Sequence, residues 1–219
     1  VDLGLASGLL WAKYNIGTTE PTQLGNYYAW GETSTKKKYA ADYYKHYIWG
    51  TYDLKRIKKY NEEDGKTVID PDDDAARANL GVGYRIPTQE DWQELLDDCK
   101  WEAVTITLPI VLDPSQKKGI ARWKVTGPNG NYIILPMTGG VRCDAWFDPT
   151  DDNTYYTTAN LYPAENLSDT YKYKMAVVLT WSLFADETSD EGIKEPWFAS
   201  MLRVFGVVVR PVFDLYSNK

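Results

Sequence analysis

Acidic side chains are the first place to seek chemistry in this sequence. Asp70, Asp72 and Asp74 stand at alternate positions, the spacing of the first three ligands in an EF-hand calcium loop. Two later positions decide against that loop. The sixth is Ala75, where a sharp turn requires Gly, and the last is Gly81, where a bidentate Glu closes the shell. A simpler reading takes Asp70 as an N-cap, Pro71 as the first helical residue, and the acids after it as a first turn suited to the helix dipole. It predicts a short Ala-rich helix over 70–80 with Gly81 just past its end.

His46 is the only histidine. A lone imidazole cannot form a multi-histidine metal site, and no Ser or Cys motif points to it as a base. It is expected at the surface among tyrosines. Glycoside hydrolysis requires two carboxylates across a cleft, and 31 acids give no way to choose a pair. No GxSxG, HExxH, Walker or GxGxxG motif occurs. No catalytic residue, metal ligand or cofactor is assigned. Residues 25–33 hold Tyr27, Tyr28, Trp30 and Glu32 around glycines. They read either as an aromatic sugar platform with a carboxylate or as a core loop with Trp30 buried and Glu32 bonded to backbone; the core loop is preferred. The two cysteines also leave two readings. A Cys99–Cys143 disulfide would stabilise by roughly 4 kcal/mol in the chain-entropy model, whereas a reduced Cys99 is a small hydrophobe on a helix face.

That helix is the most legible element. Thr88 precedes a helical pattern and Asp91 follows three residues later, a capping-box spacing. Trp92, Leu95, Leu96 and Cys99 then mark one apolar face. Elsewhere the periods are those of strands. Residues 1–17 read as an N-terminal strand pair, and residues 34–66 as an irregular excursion with a short helical turn. Val104, Ile106 and Leu108 alternate, and residues 123–126 and 132–136 flank the turn Gly127-Pro128-Asn129-Gly130 as a hairpin. Residues 137–170 have no clear period and read as a long recognition loop. From 171 to 183 every odd residue is apolar, a strand with one buried face. The stretch Val204 to Phe213 is nearly all apolar and reads as a central strand, in which Arg210 requires a partner.

The composition excludes some classes of function. The chain is 43% hydrophobic, enough for a core, and its 9 Trp and 17 Tyr exceed what a core alone uses. A net charge of -7 argues against nucleic acid or an anionic membrane surface as partner. No apolar run is long enough to span a bilayer, so no membrane insertion is expected. The chain opens without Met and reads as a mature or trimmed fragment. No repeat or Pro/Ser-rich linker interrupts it, so one domain over 1–219 is expected.

Several blocks carry a family resemblance. GYRIPTQEDWQELLDDCKW is similar to the "WRxPTxxEFxELLxxCxW" segment of the Fibrobacter succinogenes major paralogous domain, a family abundant in Bacteroidetes and related to the C-type lectin fold. VDLGLASGLLWAKYNIG at the start, GNYYAWGET at 25–33, WKVTGPNGNYIILP at 123–136 and GVVVRPV at 206–212 resemble further blocks of that family, in family order. The resemblance implies an α+β, C-type lectin-like fold: two short helices packed on a mainly antiparallel twisted sheet with long loops. Family members often carry a cysteine where this chain has Tyr14. Formylglycine-generating oxidases of the same fold use a close late pair of cysteines, and none follows Cys143 here. Calcium-dependent sugar-binding lectins carry Glu-Pro-Asn with Trp-Asn-Asp; Glu195-Pro196-Trp197 matches two letters of the first, and the second is absent.

The resulting expectation is a non-enzymatic secreted or cell-surface binding or adhesion module, part of a larger surface protein, with a glycan or protein ligand. The contacts expected for it are Trp146, Tyr156, Tyr162, Trp181, Phe184, Trp197, Phe198, Met201 and Arg203, because Trp, Tyr and Arg carry interface energy. About half of these also suit the core, Trp181 first. The alternatives are a passive structural domain of a larger surface protein and an enzyme, either oxidase-like or hydrolytic.

Overall fold

A computed structural model describes residues 1–48, 57–107, 118–142, 145–147, 153–182 and 196–215. The chain begins with β1 (Leu10–Trp11) and β2 (Tyr27–Ala29). A 3-10 turn over Pro71–Asp73 leads into α1 (Ala75–Leu80), then β3 (Tyr84–Arg85) and α2 (Gln89–Asp98). Next come β4 (Lys100–Thr107), β5 (Lys118–Thr126), β6 (Tyr132–Pro136), β7 (Gly140–Arg142) and β8 (Ala145–Phe147). The series closes with β9 (Asn153–Leu161), β10 (Met175–Ser182), β11 (Trp197–Leu202), β12 (Gly206–Val208) and β13 (Val212–Phe213). Among the described residues this is a mixed α+β architecture, mostly sheet with two helices and no barrel. Neither helix is long and apolar enough to cross a membrane.

The main sheet has seven strands in the order β11-β10-β9-β12-β7-β8, with β2 also on β12. Every pair in it is antiparallel except β12 with β9. Two smaller sheets, β1-β13-β3 and the meander β4-β5-β6, flank it. The helix α2 starts where its sequence dictates. Thr88 Oγ1 accepts from Asp91 N, and Asp91 returns the bond to Thr88 N at 2.7 Å. Its buried face, Trp92 and Leu95, faces the sheet. Trp11, Trp92, Tyr156 and Trp181 then form a continuous file of rings, with centroids 4.6, 5.7 and 5.4 Å apart, in one buried core. The Trp92 indole N–H donates to Thr157 O, fixing the helix to β9.

Several boundaries differ from those expected. The helix over 70–80 divides: Asp70 makes no cap bond, and Asp74 caps α1 by accepting from Ala76 and Arg77 N–H. Asp74 also accepts from Ile86 N, so it serves helix and strand together. The strand expected from 171 begins at Met175, because Tyr173 lies in the left-handed region at φ 62 and residues 171–174 turn. The run 204–213 breaks at Val209-Arg210-Pro211 into β12 and β13, and β12 is central as expected. The recognition loop expected over 137–170 contains three strands, β7, β8 and β9. β9 is buried on both faces, so its Thr and Tyr residues show no alternation, and Thr158 Oγ1 donates to Val177 O. Cys99 is a free thiol, its pKa pushed up to about 11 by burial, as the reduced reading expected, and Cys143 lies outside the described residues.

Trp92→Ala would open a cavity between α2 and the sheet and is expected to cost about 3–5 kcal/mol in urea unfolding. Thr88→Ala removes only the cap and is expected to cost about 1 kcal/mol. Comparable losses for the two would mean that the ring file does not anchor the helix.

Candidate ligand-binding surface

Strand pairing divides the expected contacts between interior and surface. Tyr156 and Trp181 are fully buried and stacked on each other in the ring file, so they hold the core and do not reach a ligand. Met201, 9% exposed, packs with Val178 and Val207. Arg203, 1% exposed, is also interior. Its guanidinium lies 5.4, 5.3 and 5.8 Å from the ring centroids of Trp30, Tyr44 and Tyr60, and it donates to the carbonyls of Lys59, Tyr60 and Tyr173. These four expectations are corrected: a strand interior takes apolar rings, and a caged guanidinium with carbonyl partners is a strut. Tyr162 is half-buried beyond the end of β9, and Trp146 stands on β8 opposite Val141. Phe184 lies outside the described residues.

Trp197 and Phe198 are neighbours in sequence but point to opposite faces of β11, as strand geometry requires. Phe198 pairs with Leu179 and packs against the core that holds the ring file. Trp197 pairs with Thr180, is 39% exposed, and lies on the side of β11 that also carries Ala199 and Met201. Val178, Met201 and Val207 form a small buried floor there, with Tyr155, Ala199 and Phe205 half-buried against it. The helix α2 packs on the other side of the sheet, through Trp92 on Tyr156. The structure thus keeps Trp197 of the expected set at the surface here, over a floor that includes buried Met201, and adds Tyr155 and Phe205. Alternation along 197–202 was the signal that separates the two neighbours.

The titratable groups cluster elsewhere. Asp73 is buried and accepts from Lys45 Nζ and Lys59 Nζ at 2.6 Å and from Tyr60 OH at 2.8 Å. Burial pushes its carboxyl up, but these three donors outweigh it and hold it well below the usual range. His46, expected at the surface, is 4% exposed. It sits edge-on to Tyr44 and Tyr60, with Nε2 2.8 Å from Gly31 O and 3.8 Å from Asp73 Oδ2. Tyrosine rings enclose it where sequence placed them beside it. Burial lowers its pKa below 6.5. Glu32 accepts from Lys45 N and pairs with Lys36, and Trp30 is buried, as the core-loop reading of 25–33 expected. This cluster ties residues 31–73 together, and each of its acids is already bonded. No group of three metal-ligating side chains occurs among the described residues.

The pH dependence has one sign in two windows. A His46 pKa depressed on folding means that stability present above 6.5 is lost as pH falls through that value. A depressed Asp73 adds a second loss as pH falls below its unfolded 3.8. Urea midpoints are expected to fall between pH 7 and 5, and His46→Gln, which retains a donor for Gly31 O, is expected to flatten that step. A midpoint that rises over this interval would contradict a buried neutral imidazole.

Comparison of the chain with family models, with curated proteins and with solved structures finds no match.

Proposed function

We propose that this chain is a non-enzymatic binding module of C-type lectin-like fold, secreted or carried on a cell surface, which meets a glycan or protein ligand on the sheet face turned away from α2. The observation that carries this reading is Trp197, 39% exposed at the start of edge strand β11, with half-buried Tyr155, Ala199 and Phe205 on the floor beside it. Apolar surface kept in water marks a contact, and Trp is the residue type that concentrates interface energy. Support for the scaffold comes from the ordered sequence blocks and from an α+β frame with two helices. A net charge of -7 speaks against nucleic acid as the ligand. The bonded state of Asp73, Glu32 and His46 favours binding over catalysis.

One alternative has an observation behind it. Burial of Tyr156, Trp181, Met201 and Arg203 in the frame favours a passive structural domain of a larger surface protein. Glycan arrays and pull-downs from cell-surface extracts separate the two readings. Trp197→Ala is expected to abolish capture while changing stability by less than about 0.5 kcal/mol. Phe198→Ala is expected to retain capture but to cost about 2 kcal/mol, because its ring packs inward. Equal capture by wild type and Trp197→Ala would move the site elsewhere; no capture by wild type would favour the passive reading.

A further inference from the structure

A groove of about 510 Å³ opens at the other small sheet, between β1, the segment 12–18, the end of α1 and β13. None of the residues around Trp197 lines it. Its walls are aromatic. Phe213 pairs with Tyr84 across β13 and β3, and the two rings meet edge to face with centroids 4.9 Å apart. Gly83 makes room for that wall: a Cβ there would lie 2.5 Å from the Phe213 ring, and its φ of +96 suits glycine alone. Tyr14 lines the groove as well, and Leu80, 44% exposed, adds an aliphatic edge.

The charge lining this groove is unlike that of the whole chain. The protein has 31 acids and 24 basic residues, yet the groove is lined by one charged side chain, Lys13, together with the Val1 ammonium, which donates to Trp11 O, and by no carboxylate. Lys13 is exposed, its ammonium lies 5.5 Å from the Tyr14 ring centroid, and it makes no ion pair among the described residues. Trp11, also in the lining and fully buried, has an indole N–H without a partner. We propose that this groove is a separate binding site for a small amphipathic carboxylate, whose ring body lies against Tyr84, Phe213 and Tyr14 and whose anionic group pairs with Lys13. The volume is in the range of small-molecule sites, roughly 300–1,000 Å³. The unpaired cation selects an anion, and the aromatic walls select a flat apolar body.

The test compares 2-naphthoate with its neutral counterpart 2-naphthamide by calorimetry, with backbone amide shifts locating the contact. Naphthoate is expected to bind with shifts confined to residues 10–18, 80–84 and 212–214, and the amide to bind roughly threefold to fivefold more weakly, the size of an ion pair at an exposed rim. Lys13→Gln is expected to remove that difference without unfolding the chain, since the side chain it alters is exposed. Tyr84→Ala is expected to weaken both probes, and Trp197→Ala neither. Equal binding of acid and amide to the wild type, an unchanged preference in Lys13→Gln, shifts elsewhere, or tighter binding of a methyl glycoside than of naphthoate would each overturn the proposal.

Discussion

Arg210 is the interaction that holds the layers of this protein in place. It is fully buried and has no carboxylate partner among the described residues; its guanidinium donates to Asn15 Oδ1 and to the carbonyls of Ala12, Lys13 and Ile134. Burial of a charge is tolerated only when its donors are satisfied, and here the acceptors come from two separate parts of the chain, residues 12–15 and Ile134. The segment after β1, the strand β6 and the link between β12 and β13 are thereby set at fixed spacing. Tyr156 extends the same junction by donating to Pro136 O at 2.8 Å, so the ring file and the guanidinium clamp share a residue with β9. Arg203 repeats the device on the other side, with carbonyls and three rings in place of an acid.

What could be read in the sequence follows from range. The capping box at Thr88 and Asp91, the hairpin about Gly127–Gly130 and the buried face of α2 are decided by residues a few positions apart, and the structure keeps all three. The residues 153–161 carry no period because both of their faces are covered, and a strand flanked by β10 and β12 looks, in sequence, like a polar loop. Buried cations mislead in the same way. Arg203 looks like a contact residue until the carbonyls of Lys59, Tyr60 and Tyr173 are seen around it, and those lie far away in the chain. His46 looks exposed in a lysine- and tyrosine-rich stretch, yet Tyr44 and Tyr60 enclose it. Seven of the described rings are spent on the ring file and on caging Arg203.

The two surfaces left for recognition differ in origin. Trp197 stands on an edge strand, on the sheet face turned away from α2. The groove by Lys13 is made where three short segments meet and cannot fill the space between them. In both, buried residues lie beneath the surface: Val178, Met201 and Val207 by Trp197, and Trp11 in the groove.

The place of β12 in the sheet has a consequence for how the protein comes into being. This strand, at 206–208, contacts β2, β7 and β9, and β13 just beyond it closes the sheet that contains β1. The middle of the sheet is thus supplied by a strand that follows β2, β7 and β9 in the chain, and these three lack that neighbour until it is in place. Closure of this sheet therefore rests on pairing between residues far apart in the chain, such as Gly206 with Ala29, the kind of contact that slows folding.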